Sequence, residues 1–201
     1  MTVADFSSCI TISRYAFADC NSLSTANFPN CTTIGSAAFN NCSSLSSINF
    51  PICESIQQSA FNNCDALTIV NFPACTNLED NAFLGCNSLT EVDFPVCTSI
   101  GNSVFCGCNS LTSTNFPLCT YIGNATFYNC TNLTTVDFPN CTTIGASAFY
   151  SCRNLKVFSF PKVSSGIYSG TFSACTSMET AYFPQILSLN SNSGFYSKAY
   201  L

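Results

Sequence analysis

Histidine and tryptophan are absent from the 201-residue chain, and charged residues make up only 7% of it. A globular domain ordinarily carries ~25%. Without an imidazole, hydrolytic triads of the familiar sort are excluded. Basic residues are scarcer still: between Arg14 and Arg153 there is no Lys or Arg, while Asp19, Glu54, Asp65, Glu79, Asp80, Glu91, Asp93 and Asp137 fall in that span. Net charge is −5, and a polyanion would find almost nothing to bind, so no nucleic-acid partner is expected. Arg153, Lys156 and Lys162 cluster near the C-terminus and read as a solvated edge. No apolar run approaches the ~18 residues of a membrane span. The opening MTVADFSSC has neither the basic nor the apolar region of a signal peptide. An intracellular protein and a mature or excised segment both fit that opening.

Hydrophobic residues are plentiful, at 47%, and they recur on a fixed period. Phe-Pro pairs begin at Phe28, Phe50, Phe72, Phe94, Phe116, Phe138 and Phe160, with a further pair at Phe183 one residue late. A second series runs Phe17, Phe39, Phe61, Phe83, Phe105, Phe127, Phe149, Phe172 and Phe195. The lag places one inserted residue between Val163 and Phe172. Leucines (Leu23 to Leu155) and isoleucines (Ile12, Ile34, Ile56 and onward) keep the same step.

The unit is F-P-x-C-T-x-I-G-x-x-A-F-x-x-C-x-x-L-x-x-V-N/D. So short a unit cannot bury its own apolar face, so coils must stack into a solenoid. Leu133 to Phe138, LTTVDF, reads as a short strand with Val136 and Phe138 inward and Asp137 outward. Proline then ends it. C-T-x-I reads as a second short strand, A-F-x-x-C as a tight helical turn, and Gly35, Gly101, Gly123 and Gly145 as left-handed bends.

The pattern A-F-x-x-C-x-x-L-x-x-V/I-x-F-P with I-G upstream closely resembles the BspA-like (Treponema-type) leucine-rich repeats, along the whole chain. The resemblance implies a right-handed leucine-rich-repeat solenoid of about nine coils, built of short parallel β-strands with tight or 3-10 turns. It also implies a cell-surface setting and adhesion to host or matrix proteins, with no catalytic residues. Cysteine is denser here than in many relatives.

Two cysteine series follow the period, Cys9 to Cys141 and Cys20 to Cys175, and Cys106 alone is out of phase. Stacked coils place equivalent residues ~4.8 Å apart, whereas a disulfide wants Cβ atoms ~3.8 Å apart. Bridging would pinch coils together in pairs, against the equivalence of the repeats. No C-x-x-C occurs, and a line of thiols does not make a tetrahedron, so no metal and no cofactor are expected. The favoured reading is cysteine as a small buried hydrophobe. The alternative is a disulfide along the ladders that involves Cys106.

Among polar residues, Glu91 and Asp93 share one strand face, with Asp137 two coils on. Asn27, Asn49, Asn71 and Asn115 hold the same outward position, so the row reads as a hydrogen-bonding ladder rather than a catalytic pair. Six sequons, at Asn30, Asn41, Asn124, Asn129, Asn132 and Asn140, are what Asn- and Thr-rich repeats generate by composition. Tyr121, Tyr128 and Tyr150, with Tyr168 and Tyr182, are outward aromatics suited to anchoring a contact. Together with Glu91, Asp93 and Asp137, the first three are the candidate partner-binding residues.

Met1 and Leu201 both fall at the leucine position of the unit, so residues 1–201 are expected to form one solenoid domain, open at both ends. The expected role is non-enzymatic: an extracellular or cell-surface module that binds a protein or glycan. The alternative is a structural fibre of solenoids stacked head to tail.

Overall fold

The computed structural model of the chain describes residues 1–189 and 193, so Phe195 and Leu201 lie outside the described residues. Each coil opens with a three-residue strand and, through most of the chain, adds a two-residue one. The first four coils carry β1 (Val3–Asp5), β2 (Thr11–Ile12), β3 (Thr25–Asn27), β4 (Thr33–Ile34), β5 (Ser47–Asn49), β6 (Ser55–Ile56), β7 (Ile69–Asn71) and β8 (Asn77–Leu78). The next three carry β9 (Glu91–Asp93), β10 (Ser99–Ile100), β11 (Ser113–Asn115), β12 (Tyr121–Ile122), β13 (Thr135–Asp137) and β14 (Thr143–Ile144). β15 (Val157–Ser159) and β16 (Thr180–Tyr182) follow. All pairing is parallel between equivalent residues of adjacent coils, as at Val136↔Phe158 and Ile100↔Ile122. The expected leucine-rich-repeat solenoid is what the chain forms.

The core is two columns of phenylalanine rings. Within a column the rings stack, Phe17 on Phe39 at 5.1 Å and Phe28 on Phe50 at 5.4 Å. Between columns they meet edge to face, Phe28 against Phe39 at 6.1 Å and 72°. Both geometries suit the aromatic quadrupole. Leu45, Ile34 and their equivalents up to Ile167 fill the remaining walls at 2% exposure or less, and Met178 and Leu189 in the last coils are partly buried.

The segment after each Ile is a series of tight turns rather than the expected helical turn. In the second coil the amides of Ala38, Asn40 and Cys42 donate to Gly35, Ala37 and Phe39 carbonyls three residues back. The alternate amides of Ala37, Phe39 and Asn41 donate forward to Gln58, Ala60 and Asn62 of the next coil. Left-handed residues make this alternation possible, and they are not the expected glycines. Ala37 (φ 54°) and Asn41 (φ 59°) adopt that conformation, as do their equivalents in the other coils. Gly35, Gly101, Gly123 and Gly145 have ordinary φ; they serve close approach instead. A Cβ on Gly123 would lie 2.5 Å from the Gly101 carbonyl carbon of the coil below.

The two strand sides differ in continuity. The two-residue strands form one seven-stranded sheet from β2 to β14. It ends where the inserted residue falls; Ile167 still reaches the core, 1% exposed. The three-residue strands fall into three sheets of three, interrupted between β5 and β7 and between β11 and β13.

Candidate recognition surface

Each coil has three sides: the long-strand side, the short-strand side and the turn edge. Tyr121 lies on the short-strand side in β12 and is 40% exposed. Tyr128 and Tyr150 lie on the turn edge, immediately after core Phe127 and Phe149, and their rings stack face to face at 4.9 Å and 5°. Glu91, Asp93 and Asp137 project from β9 and β13 on the long-strand side. The six candidates are therefore split among three sides: Glu91 and Asp93 share the outer face of β9, and stacking of the coils brings Tyr128 and Tyr150 together.

The position after the core Phe is a column that also holds Leu84 and Cys106 in the two preceding coils. Cys106, out of phase with both thiol series, is thus in phase with this column. Leu84, Cys106, Tyr128 and Tyr150 form an apolar stripe across four coils where Asn40 and Asn62 stand earlier. Sequence reasoning missed Leu84 and Cys106 because it compared cysteines with cysteines rather than with the column they share. Next to them the left-handed position is Gly85 and Gly107, with φ 73° and 79°; at Gly85 the Asn63 side chain of the coil below takes the space a Cβ would fill.

On the long-strand side the outward polar row does hydrogen-bond. Asn27 donates to Asp5 at 2.8 Å, Asn49 to Asn27 at 2.7 Å and Asn115 to Asp93 at 2.7 Å. The row is not continuous: the sheet interruption separates Asp137 from Asn115.

None of the sixteen cysteines is paired with another, and thirteen of them are buried. In the first series each thiol donates to the carbonyl two residues on, Cys31 to Thr33 at 3.2 Å. In the second it donates to a core phenylalanine of the coil below, Cys64 to Phe39 O at 3.1 Å. Burial pushes the Cys42 thiol up to about 11 and Cys53 and Cys86 to about 12. Such thiols are poor nucleophiles and poor metal ligands. Among the described residues no group of three or more His, Cys, Asp or Glu is placed to hold a metal ion. No helix there is long and apolar enough to cross a membrane.

These features define a leucine-rich-repeat solenoid with a decorated outer surface. The sequence profile of the BspA type leucine-rich repeat region matches residues 10–118 and again 98–201, and the chain belongs to that family. Among solved structures, it is similar to the T. pallidum leucine-rich repeat protein, with 26% identity over 84% of this chain and 71% of that one (TM-score 0.59). It is also similar in fold to a leucine rich cell surface protein of Faecalibacterium prausnitzii, at 22% identity over 89% of this chain and 64% of that one (TM-score 0.56). A leucine-rich repeat protein from Eubacterium ventriosum shares the fold at 15% identity, covering 96% and 82% of the two chains (TM-score 0.55). No curated protein matches significantly. Leucine-rich repeats of this kind are typically surface or protein-interaction modules and generally non-enzymatic scaffolds.

Proposed function

We propose that the chain is an extracellular, surface-displayed adhesion module that binds a protein partner along its turn edge. The stripe Leu84–Cys106–Tyr128–Tyr150 carries this reading. It is apolar, rigidly held by the coils beneath and rich in the residue type that anchors interfaces. Tyr128 and Tyr150 stack on each other, so each ring covers one face of the other and the pair is held as a single aromatic unit. A pre-ordered aromatic pair of this kind suits the apolar side chains of a protein surface. The test is binding of the labelled chain to a panel of immobilised matrix glycoproteins, before and after enzymatic deglycosylation. Binding that persists after deglycosylation and falls about tenfold or more in the Tyr128→Ser, Tyr150→Ser double variant supports the reading. Binding that ignores the double variant, or vanishes with the glycans, sinks it.

A second reading, the end-stacked fibre, is favoured by the face of the first coil. There Phe6 is 45% and Ile10 63% exposed, and Phe6, Ile12, Phe17 and Phe28 border a cavity of about 250 Å3. Sedimentation over a wide concentration range separates the two, because a monomer at every concentration leaves no room for the fibre.

A further inference from the structure

We infer that the interruption between β11 and β13 is a saccharide-binding cleft, on a different side from the tyrosine stripe and independent of it. At the paired coil junctions of this side the ladder is carried by bonds such as the Phe94 amide to the Asn115 carbonyl and the Thr112 amide to the Thr90 carbonyl. The equivalent bonds from Phe116 to Asp137 and from Thr134 to Thr112 are not formed. Two backbone donors are thereby left without a ladder partner. Beside them opens a cleft of about 350 Å3 lined by Ser113, Thr114, Thr135, Val136, Asp137, Val157 and Ser159. Thr114 occupies the inward column that elsewhere holds Val70, Val92 and Val136. Its hydroxyl is buried and has no hydrogen-bond partner among the described residues, a state that costs free energy unless something supplies the missing bond.

The occupant follows from the chemistry of that lining. Four hydroxyls both donate and accept, a carboxylate accepts, and the exposed Val157 offers an apolar patch. That is a complement to a ring bearing several hydroxyls and C–H faces. Asp137, Ser159 and Tyr182 stand in register on β13, β15 and β16. Tyr182 is 54% exposed and lies ~10 Å from Asp137 at ~4.8 Å per coil, placed to stack on a second sugar unit. An inserted peptide strand does not fit. The core rings across the gap, Phe116 and Phe138, are 5.9 Å apart against 5.3 Å for Phe94 and Phe116, far short of the doubled spacing an extra strand needs. The other interruption, between β5 and β7, has Ile48 in the place of Thr114 and Asn71 in the place of Asp137, so it carries neither the buried hydroxyl nor the carboxylate.

The experiment titrates the whole chain with glucose, galactose, mannose, N-acetylglucosamine and their β-linked disaccharides, by saturation-transfer NMR and calorimetry. The expected result is a dissociation constant near millimolar for at least one of them. Asp137→Asn should weaken it about tenfold and Thr114→Val about fivefold. Both variants place a residue that the same column already holds in other coils, so folding is preserved and thermal unfolding verifies it. Tyr182→Ala should weaken the disaccharide and leave the monosaccharide unchanged. No binding by any saccharide, or equal binding by wild type and both cleft variants, overturns the proposal. So does binding of lysine methylamide where the sugars fail, which would assign the cleft to a cationic side chain. The Tyr128→Ser, Tyr150→Ser variant should bind sugars normally, so the cleft and the stripe fail separately.

Discussion

The second thiol column shows what cysteine supplies that alanine does not. Each core phenylalanine carbonyl already accepts one amide, Cys42 N–H to Phe39 O at 3.1 Å, and then takes the Cys64 thiol of the next coil on its other side. A small apolar side chain with one weak donor thus fills a narrow slot and satisfies a buried acceptor. The backbone makes a comparable demand at the turn edge, where the glycines and the left-handed residues have separate tasks. Gly123 is needed for lack of volume and Ala125 is strained by having a Cβ at φ 52°. Opposite outcomes follow from mutating two residues of one turn. Gly123→Ala should cost about 1–3 kcal/mol, because backbone atoms of the lower coil must move. Ala125→Gly should be neutral or stabilising by up to about 1 kcal/mol, relief of left-handed strain set against backbone entropy. Urea unfolding of both variants checks this, and a large loss for Ala125→Gly would refute the division of labour.

Whole strands carry a contrast that single residues do not. The short-strand sheet runs unbroken through seven coils, while the long-strand side is cut into threes. Hydrogen exchange should report the cuts at equivalent positions of the repeat. The amides of Phe28, Phe72, Phe94 and Phe138 donate to the next coil and should be protected. Those of Phe50 and Phe116 have no such acceptor and should exchange at least tenfold faster, since an unbonded amide needs no opening event. Uniform protection of all six would mean that the ladder is continuous. Much of this architecture was legible in the sequence. The phenylalanine, leucine and isoleucine series name the core columns, LTTVDF shows its alternation openly, and the inserted residue before Phe172 marks where the short-strand sheet stops. The interruptions were not legible, because they arise from how neighbouring coils fit, as where Thr114 replaces a valine. The recognition stripe was legible only in part: Tyr128 and Tyr150 stand out as aromatics, but Leu84 and Cys106 join them only once coils are superposed by position. The glycines misled, since a glycine required for space and one required for positive φ look alike in a repeat.

At the scale of the whole molecule, the thiol columns make the fold a sensor of alkaline pH. The fourteen cysteines from Cys31 to Cys175 have pKa values raised above 9.0, chiefly by burial, to about 11 for Cys97 and about 12 for Cys141 and Cys175. The folded state therefore holds these protons more tightly than the unfolded chain does. Below 9 both states are protonated and the thiols do not tilt the balance. As pH rises through 9 the unfolded chain ionises first, so stability falls, and it goes on falling until the folded values are passed. Each buried thiol contributes ~1.4 kcal/mol per pH unit in that window. Cys31 and Cys106, the two with the more modest rise, add little, but the other twelve acting together are enough to offset the 5–15 kcal/mol that ordinarily holds a domain within about one to two units. The chain should accordingly unfold cooperatively at about pH 9 to 11 under reductant, and refold when acidified. Circular dichroism follows the transition, and a thiol reagent added at each pH counts the sulfurs released. At neutral pH the half-buried Cys9 and Cys20 should react first, Cys106 more slowly because burial raises its pKa, and the thirteen buried thiols last. A solenoid that stays folded to pH 11 with its thiols unreactive would show that the columns are not lines of free, buried cysteine, and the packing role argued for them would fall with it.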